Sequence, residues 1–467
     1  MRHAGTGADD WPQRQVTGAG GTRPATGTAP GAAARPDSAP VPHSPAPAPP
    51  AGLPAPASGH VPVPAPGPAT ATATATATLP PPQPQPHPAS SEAPGPRTAG
   101  ERRPRLYAID GLRLCAAVMV ALHHFTGTWR VDQPHNKIWD RPVSHIMPSV
   151  FRISAYGWIG VEIFFVISGF VICMSCWGRR PRDFFVSRVI RLYPAYWFAV
   201  LFTTGVLAAL PAAWSRPSLR QVLFNLSMLQ MGSNVGNVDG VYWTLWSELR
   251  FYLVFLLVVA TGLTYRKVVV FCCAWGTLAA LAPVSGFTAL QLLADRDSTW
   301  YFIAGLALFL MHRFGPDLLL WGILALSWLM ASDEIGRRVD HVEHVSGWRG
   351  AFVLFSLFLL VMVAIALGFA DRVQWKWLAT AGSLTYPFYL MHYVAGTTAI
   401  HYLHDRADPR VLVAALVAAV LLLSYLVHRL VERPLARWLK RGLTRTFDRL
   451  GTPPAPRAAT RAATPPA

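Results

Sequence analysis

Apolar runs of about 17–22 residues recur along this chain, each long enough to cross roughly 30 Å of hydrocarbon at 1.5 Å per residue. They lie near residues 108–128, 156–177, 190–210, 241–262, 267–286, 299–314, 317–332, 350–370, 380–400 and 411–431. Lipid offers no partner for a backbone N–H or C=O, so runs of this length commit the region to helices that bond internally. The expected fold class is therefore all-α, a polytopic integral membrane bundle of ten transmembrane helices. A shorter apolar stretch, 222–231, cannot span and belongs in the loop before the fourth helix. Composition agrees: 14% of residues are charged and 52% hydrophobic, against about 25% charged in a soluble domain. The net charge is +17, from 41 Lys and Arg against 24 Asp and Glu. These cations cluster beside the apolar runs rather than along a polar face, so the expected partner is a lipid bilayer and not nucleic acid.

The flanks differ from this body. Residues 1–100 hold 24 of the 42 prolines, one aromatic residue (Trp11), no isoleucine and an Ala-Thr tract at 69–78. Such a segment buries too little apolar area to offset its ordering entropy and is expected to be a disordered low-complexity tail, with no signal-peptide core. Residues 101–440 form the expected membrane domain, and 441–467 a basic, then disordered, tail. Orientation follows from the basic residues. Arg102, Arg103 and Arg105 precede the first helix; Arg179, Arg180, Arg182, Arg188 and Arg191 lie between the second and third; further basic groups sit at 266–267, 312–313 and 429–449. With ten helices all of these share one side, predicted to be cytoplasmic together with both termini. Cys173 and Cys176 have CxxC spacing without a second ligand pair, which marks packing residues, and no metal is expected.

Ionisable residues inside the runs carry the functional information, because each would cost several kcal/mol if left unpaired in lipid. Arg113 and His124 are eleven residues apart, three helical turns, which returns to nearly the same face about 16 Å along the axis. His123 is turned about 100° from that face and should be satisfied by a neighbour. In the second helix Glu162, Phe165 and Gly169 share a face, and Gly160 and Gly169 permit close helix approach. Arg188 and Arg191, one turn apart, suit phosphates, although positive-inside topology alone would also place them there. Tyr242, Trp243 and Trp246 fit interfacial anchoring, with Glu248 about two turns inside. Tyr389 and His392 share a face, and Glu432-Arg433-Pro434 closes the last helix. A ten-helix transporter of a sugar, lipid or drug would use similar residues as a proton relay, although no corresponding pair of interrupted helices is visible in two halves.

Five blocks follow in order: Asp-Gly-Leu-Arg with the Arg113/His124 pair; Gly-Val-Glu-Ile-Phe-Phe-Val-Ile-Ser-Gly; Arg-x-x-Arg followed by Tyr-Pro; Trp-Ser-Glu; and Tyr-x-x-Tyr-Leu-x-His with a closing Glu-Arg-Pro. From about Leu106 to Pro434 the sequence resembles the acyltransferase-3 family of integral-membrane acyltransferases, which includes bacterial O-acetylases of surface polysaccharide. The resemblance implies a bacterial inner-membrane enzyme with no permanently bound cofactor. It would take an acyl group, usually acetyl, from acetyl-CoA or another acyl-CoA. The acceptor would be a hydroxyl of a carbohydrate, glycolipid or macrolide-type molecule. It further implies His124 as base, Arg113 as its companion, and Arg188 with Arg191 near the coenzyme. Glu248 or Glu162 is the expected carboxylate orienting the imidazole. Some members carry a fused extracytoplasmic hydrolase-like domain. Without one, this chain is expected to act alone or with a separate extracytoplasmic partner.

Overall fold

In an apolar solvent the backbone is satisfied only along the chain, and the long runs of Leu, Val, Ala and Phe fold accordingly. A computed structural model of the protein describes residues 106–133, 136–211 and 214–451. The tail expected over 1–100, the arginines at 102, 103 and 105, and the end of the chain beyond 451 lie outside the described residues. Among those described, all regular structure is helical. In chain order it comprises α1 (Tyr107–Leu122), α2 (Val143–Ile146), α3 (Pro148–Ser154), α4 (Ile159–Cys176), α5 (Pro181–Ala209), α6 (Leu219–Ser227), α7 (Trp243–Ala260) and α8 (Tyr265–Ser285). There follow α9 (Thr288–Leu293), α10 (Arg296–Phe314), α11 (Leu318–His341), α12 (Trp348–Ala366), α13 (Trp377–Met391), α14 (Tyr393–Leu403), α15 (Pro409–Val427) and α16 (Arg433–Gly451).

Among the described residues, eight segments are long and apolar enough to cross a membrane. The two remaining expected runs are also helical, each with a feature that lowers its apolar length. Helix α10 carries Arg296, Asp297, His312 and Arg313 at its ends, and the run near 380–400 is divided into α13 and α14 at His392. Two boundaries differ from the sequence expectation. Helix α5 starts at Pro181 rather than 190, and α11 continues to His341 through the polar stretch 333–340 instead of ending near 332. The polar turns of α11 persist because their charges find partners: Asp333 and Glu334 with Arg337 and with Arg296 of α10, and Arg338 with Glu162 of α4. The first part of the stretch, 222–227, lies in the short α6, capped by Ser218, and the whole stretch precedes α7 as expected.

The core sits where α4 and α10 cross. Fourteen residues of α10, Ser298 through Met311, are all buried, and the apolar window of the segment containing α4 is 78% buried against 28% for the one containing α15. Glycine permits this approach. A side chain on Gly169 would run into the Phe302 carbonyl, one on Gly305 into the Val166 carbonyl, and one on Gly160 into the Ala116 carbonyl of α1. Cys173 and Cys176 are buried in this core, as packing residues should be. Peripheral helices instead expose Leu257, Val270, Val284, Leu318, Leu360 and Leu422 outward. Such a continuous apolar surface is a liability in water and the natural face toward acyl chains.

Candidate active site

Three arginines from two helices line one cavity of about 410 Å³, Arg113 of α1 and Arg188 and Arg191 of α5. Each is held differently. Arg188 stacks over Phe184 and Tyr252 at 5.9 and 5.8 Å. Arg191 pairs with Glu432 at 3.0 Å and lies 5.8 Å over the Tyr386 ring. Arg113 has a buried Nε without a hydrogen-bond partner. Glu432 reaches the cavity because the chain after α15 makes a π-turn, His428–Glu432, whose His428 Nδ1 lies 2.8 Å from the Glu432 carboxylate. An extra residue per turn of this kind is common where a helix must re-aim a side chain. Guanidinium groups in such a ring can form charge-assisted bonds to phosphate, and among the described residues they are the only cations lining the cavity.

Glu248 lies on the same cavity wall and accepts a short hydrogen bond from Ser168 of α4. Phe164, Thr244 and Tyr389 also line the cavity. Tyr389 links it to the histidines, since its carbonyl lies 2.8 Å from His392 Nδ1 and its hydroxyl accepts from Thr244 at 3.1 Å.

His124 sits in a second π-turn, His123–Gly127, that follows α1. Its Nδ1 lies 2.8 Å from Nε2 of His392, the fully buried residue between α13 and α14. The Tyr393 ring is 4.3 Å away from the imidazole. Neither carboxylate singled out in the sequence takes this place: Glu248 meets Ser168, and Glu162 meets Arg338 at 2.9 Å. The bond from His124 goes to a histidine. His123, as expected, is satisfied by neighbours, the Ser154 carbonyl at 3.0 Å and Glu343 at 3.3 Å.

At the end of the bundle where His123 lies, Arg338 is clamped between Trp158 and Trp243 at 4.9 and 5.4 Å. Its guanidinium faces Glu162 at 2.9 Å and Glu343 at 3.7 Å. Glu162 Oε2 and Arg338 Nε are buried without hydrogen-bond partners. Burial alone would raise the Glu343 carboxyl, but His123 and Arg338 outweigh it and hold it below the ordinary glutamate range. Sequence reading passed over Arg338 and Glu343 because they fall in a stretch taken for a loop. The apolar spacing of Ile335, Val339 and Val342 was the signal that the helical period continues there. Asp239, also passed over, accepts from the amides of Val241 and Val394, both at 3.2 Å, and so ties the start of α7 to α14 just beyond His392.

A family model described as an acyltransferase domain matches residues 106–429. Among curated proteins the chain is similar to Nodulation protein 10 of Rhizobium leguminosarum bv. viciae, 26% identical over 330 residues, which is 62% of this chain and 83% of that protein. It is 23% identical over 336 residues to the putative peptidoglycan O-acetyltransferase YrhL of Bacillus subtilis (strain 168), covering 61% of this chain and 48% of YrhL. A shorter match, 37% identical over 109 residues, covers 21% of this chain and 33% of the exopolysaccharide production protein ExoZ of Rhizobium meliloti (strain 1021). No solved structure matches the chain.

Proposed function

Because this chain belongs to the acyltransferase-3 family, the membrane acyltransferases, we propose that it moves an acetyl group from acetyl-CoA to a hydroxyl of a surface carbohydrate, with His124 as the base. Membership in an enzyme family sets the transporter reading aside. The observation that carries the proposal is the convergence of Arg113, Arg188 and Arg191 on a cavity that is also lined by Tyr389, the first member of the Tyr389–His392–His124 chain. Coenzyme A brings phosphates for the arginines and a thioester for the histidine end. Burial suits the chemistry, since charge-assisted bonds to phosphate strengthen away from water.

In this reading the acceptor hydroxyl gives its proton to His124 as its oxygen attacks the thioester carbonyl. The C–S bond then breaks, the electron pair goes to sulfur, and the imidazolium returns a proton to the thiolate. General-base assistance of this kind is worth about 10²–10⁴-fold. The donor enters at the arginine end, which the positive-inside rule favours as the cytoplasmic side of a bacterial plasma membrane. Carbohydrate is the favoured acceptor because YrhL is named as a peptidoglycan O-acetyltransferase and ExoZ for exopolysaccharide production. The acceptor approaches from the opposite end, where His123, Glu343 and Arg338 lie.

Arg188→Ala tests the donor site in membranes supplied with radiolabelled acetyl-CoA. The expected result is a donor KM raised roughly tenfold or more, the loss of one charge-assisted bond, with kcat less affected. An unchanged donor KM would remove Arg188 from the phosphate site.

A further inference from the structure

We infer that His392 is a positioning residue that fixes the tautomer of His124 and so makes Nε2 of His124 the basic atom. The inference rests on the proposed role of His124 and extends it to the residue between α13 and α14, 268 positions away.

The argument is one of donors and acceptors. His392 Nδ1 lies 2.8 Å from the Tyr389 carbonyl oxygen. A carbonyl only accepts, so Nδ1 of His392 carries the hydrogen. In a neutral imidazole the other nitrogen then bears the lone pair, which makes His392 Nε2 an acceptor. Its neighbour at 2.8 Å, His124 Nδ1, must be the donor. With its hydrogen on Nδ1, neutral His124 presents the lone pair at Nε2. One backbone carbonyl thus sets the state of two rings in series.

The geometry around His392 holds this arrangement in place. Its ring is fully buried and stacks on Phe388 with centroids 5.9 Å apart and planes 7° from parallel. Its amide bonds the Phe388 carbonyl at 3.1 Å, its carbonyl accepts from Gly396 at 2.9 Å, and Asp239 holds the amide of Val394 two residues on. The ring therefore has little freedom to turn its Nδ1 away from Tyr389. A neutral partner also suits the surroundings. When Nε2 of His124 takes the acceptor proton, the imidazolium keeps its Nδ1–H bond to His392, and no permanent buried anion has to be held beside it in the resting state. The two carboxylates singled out in the sequence are committed elsewhere, Glu162 to Arg338 and Glu248 to Ser168.

Two substitutions separate this role from simple packing. His392→Phe keeps a planar ring of similar volume but removes the acceptor. His392→Gln places a carbonyl oxygen near the position of Nε2 and can still accept from His124 Nδ1. With radiolabelled acetyl-CoA in membranes, His392→Phe is expected to lower kcat by about 10²-fold or more while the donor KM stays within about twofold. His392→Gln is expected to recover most of that loss. Full activity in His392→Phe, or equal losses in both variants, would overturn the assignment. Acetyl-CoA binding by the purified variants shows that the site has formed, so a folding failure is recognised as such. His124→Ala separates the two readings: an active His124→Ala enzyme defeats the base itself, whereas an inactive one beside a fully active His392→Phe defeats only the tautomer relay.

Discussion

Glu343 shows how a single side chain sets the local chemistry at the end of the bundle away from the arginines. It is outside the membrane-crossing segments yet buried, and it faces His123 at 3.3 Å and Arg338 at 3.7 Å. Its carboxyl titrates below the ordinary value of 4.5 because those two neighbours outweigh its burial. A depressed acid contributes stability that is present above its unfolded pKa and lost as pH falls through the folded one. The thermal midpoint of the detergent-solubilised protein should therefore drop as pH falls below 4.5, and Glu343→Gln should flatten that dependence. At neutral pH the same variant should cost about 1–3 kcal/mol. Identical acid profiles for both proteins would show that Glu343 does not contribute in this way. The sequence revealed the individual ionisable residues well, because lipid excludes charge and whatever remains stands out. It did not reveal their partners. Arg113, Arg188 and Arg191 do line one cavity, but His124 meets His392 rather than Glu248 or Glu162, a contact made across the whole membrane domain.

Elements were legible where their physics is local. Hydrophobic length alone located all ten runs, since a helix is the answer lipid imposes on any such segment. Local features that depend on neighbours were not. The break at His392, the two π-turns at His123–Gly127 and His428–Glu432, and the persistence of α11 to His341 all follow from packing or ion pairing with distant helices. Both π-turns carry an ionisable side chain into the site, His124 and Glu432. The glycines are an intermediate case: Gly160 and Gly169 were readable as contact points, but their partners were not. Gly305→Val puts a branched side chain against the Val166 carbonyl, the Phe170 amide and the Gly169 Cα, none of which can move independently of α4. It should lower stability by about 1–3 kcal/mol or more and reduce the monodisperse yield in detergent. Gly322→Ala, on a face with nothing within 4 Å, should leave that yield unchanged. Equal yields from the two would argue against close packing of α4 on α10.

At the scale of the whole bundle, the described residues hold two groups of polar side chains apart. The arginine cavity lies toward the end where α1 and α5 begin and α15 finishes. The Arg338, Glu343 and His123 group lies toward the end where α1 finishes and α4 begins. The histidine pair adjoins the second group, since His124 directly follows His123 in the π-turn after α1. This division is what a donor and an acceptor approaching from opposite faces would need, and under the proposed function the positive charge of the chain would serve two uses, orienting the bundle and gripping phosphate. The most direct test is label transfer. Membranes containing the wild-type protein or His124→Ala, expressed to equal levels, are incubated with radiolabelled acetyl-CoA, and label in the surface glycan fraction is counted. The account predicts incorporation by the wild type and a loss of at least about 10²-fold in His124→Ala. Equal incorporation by the two would contradict it.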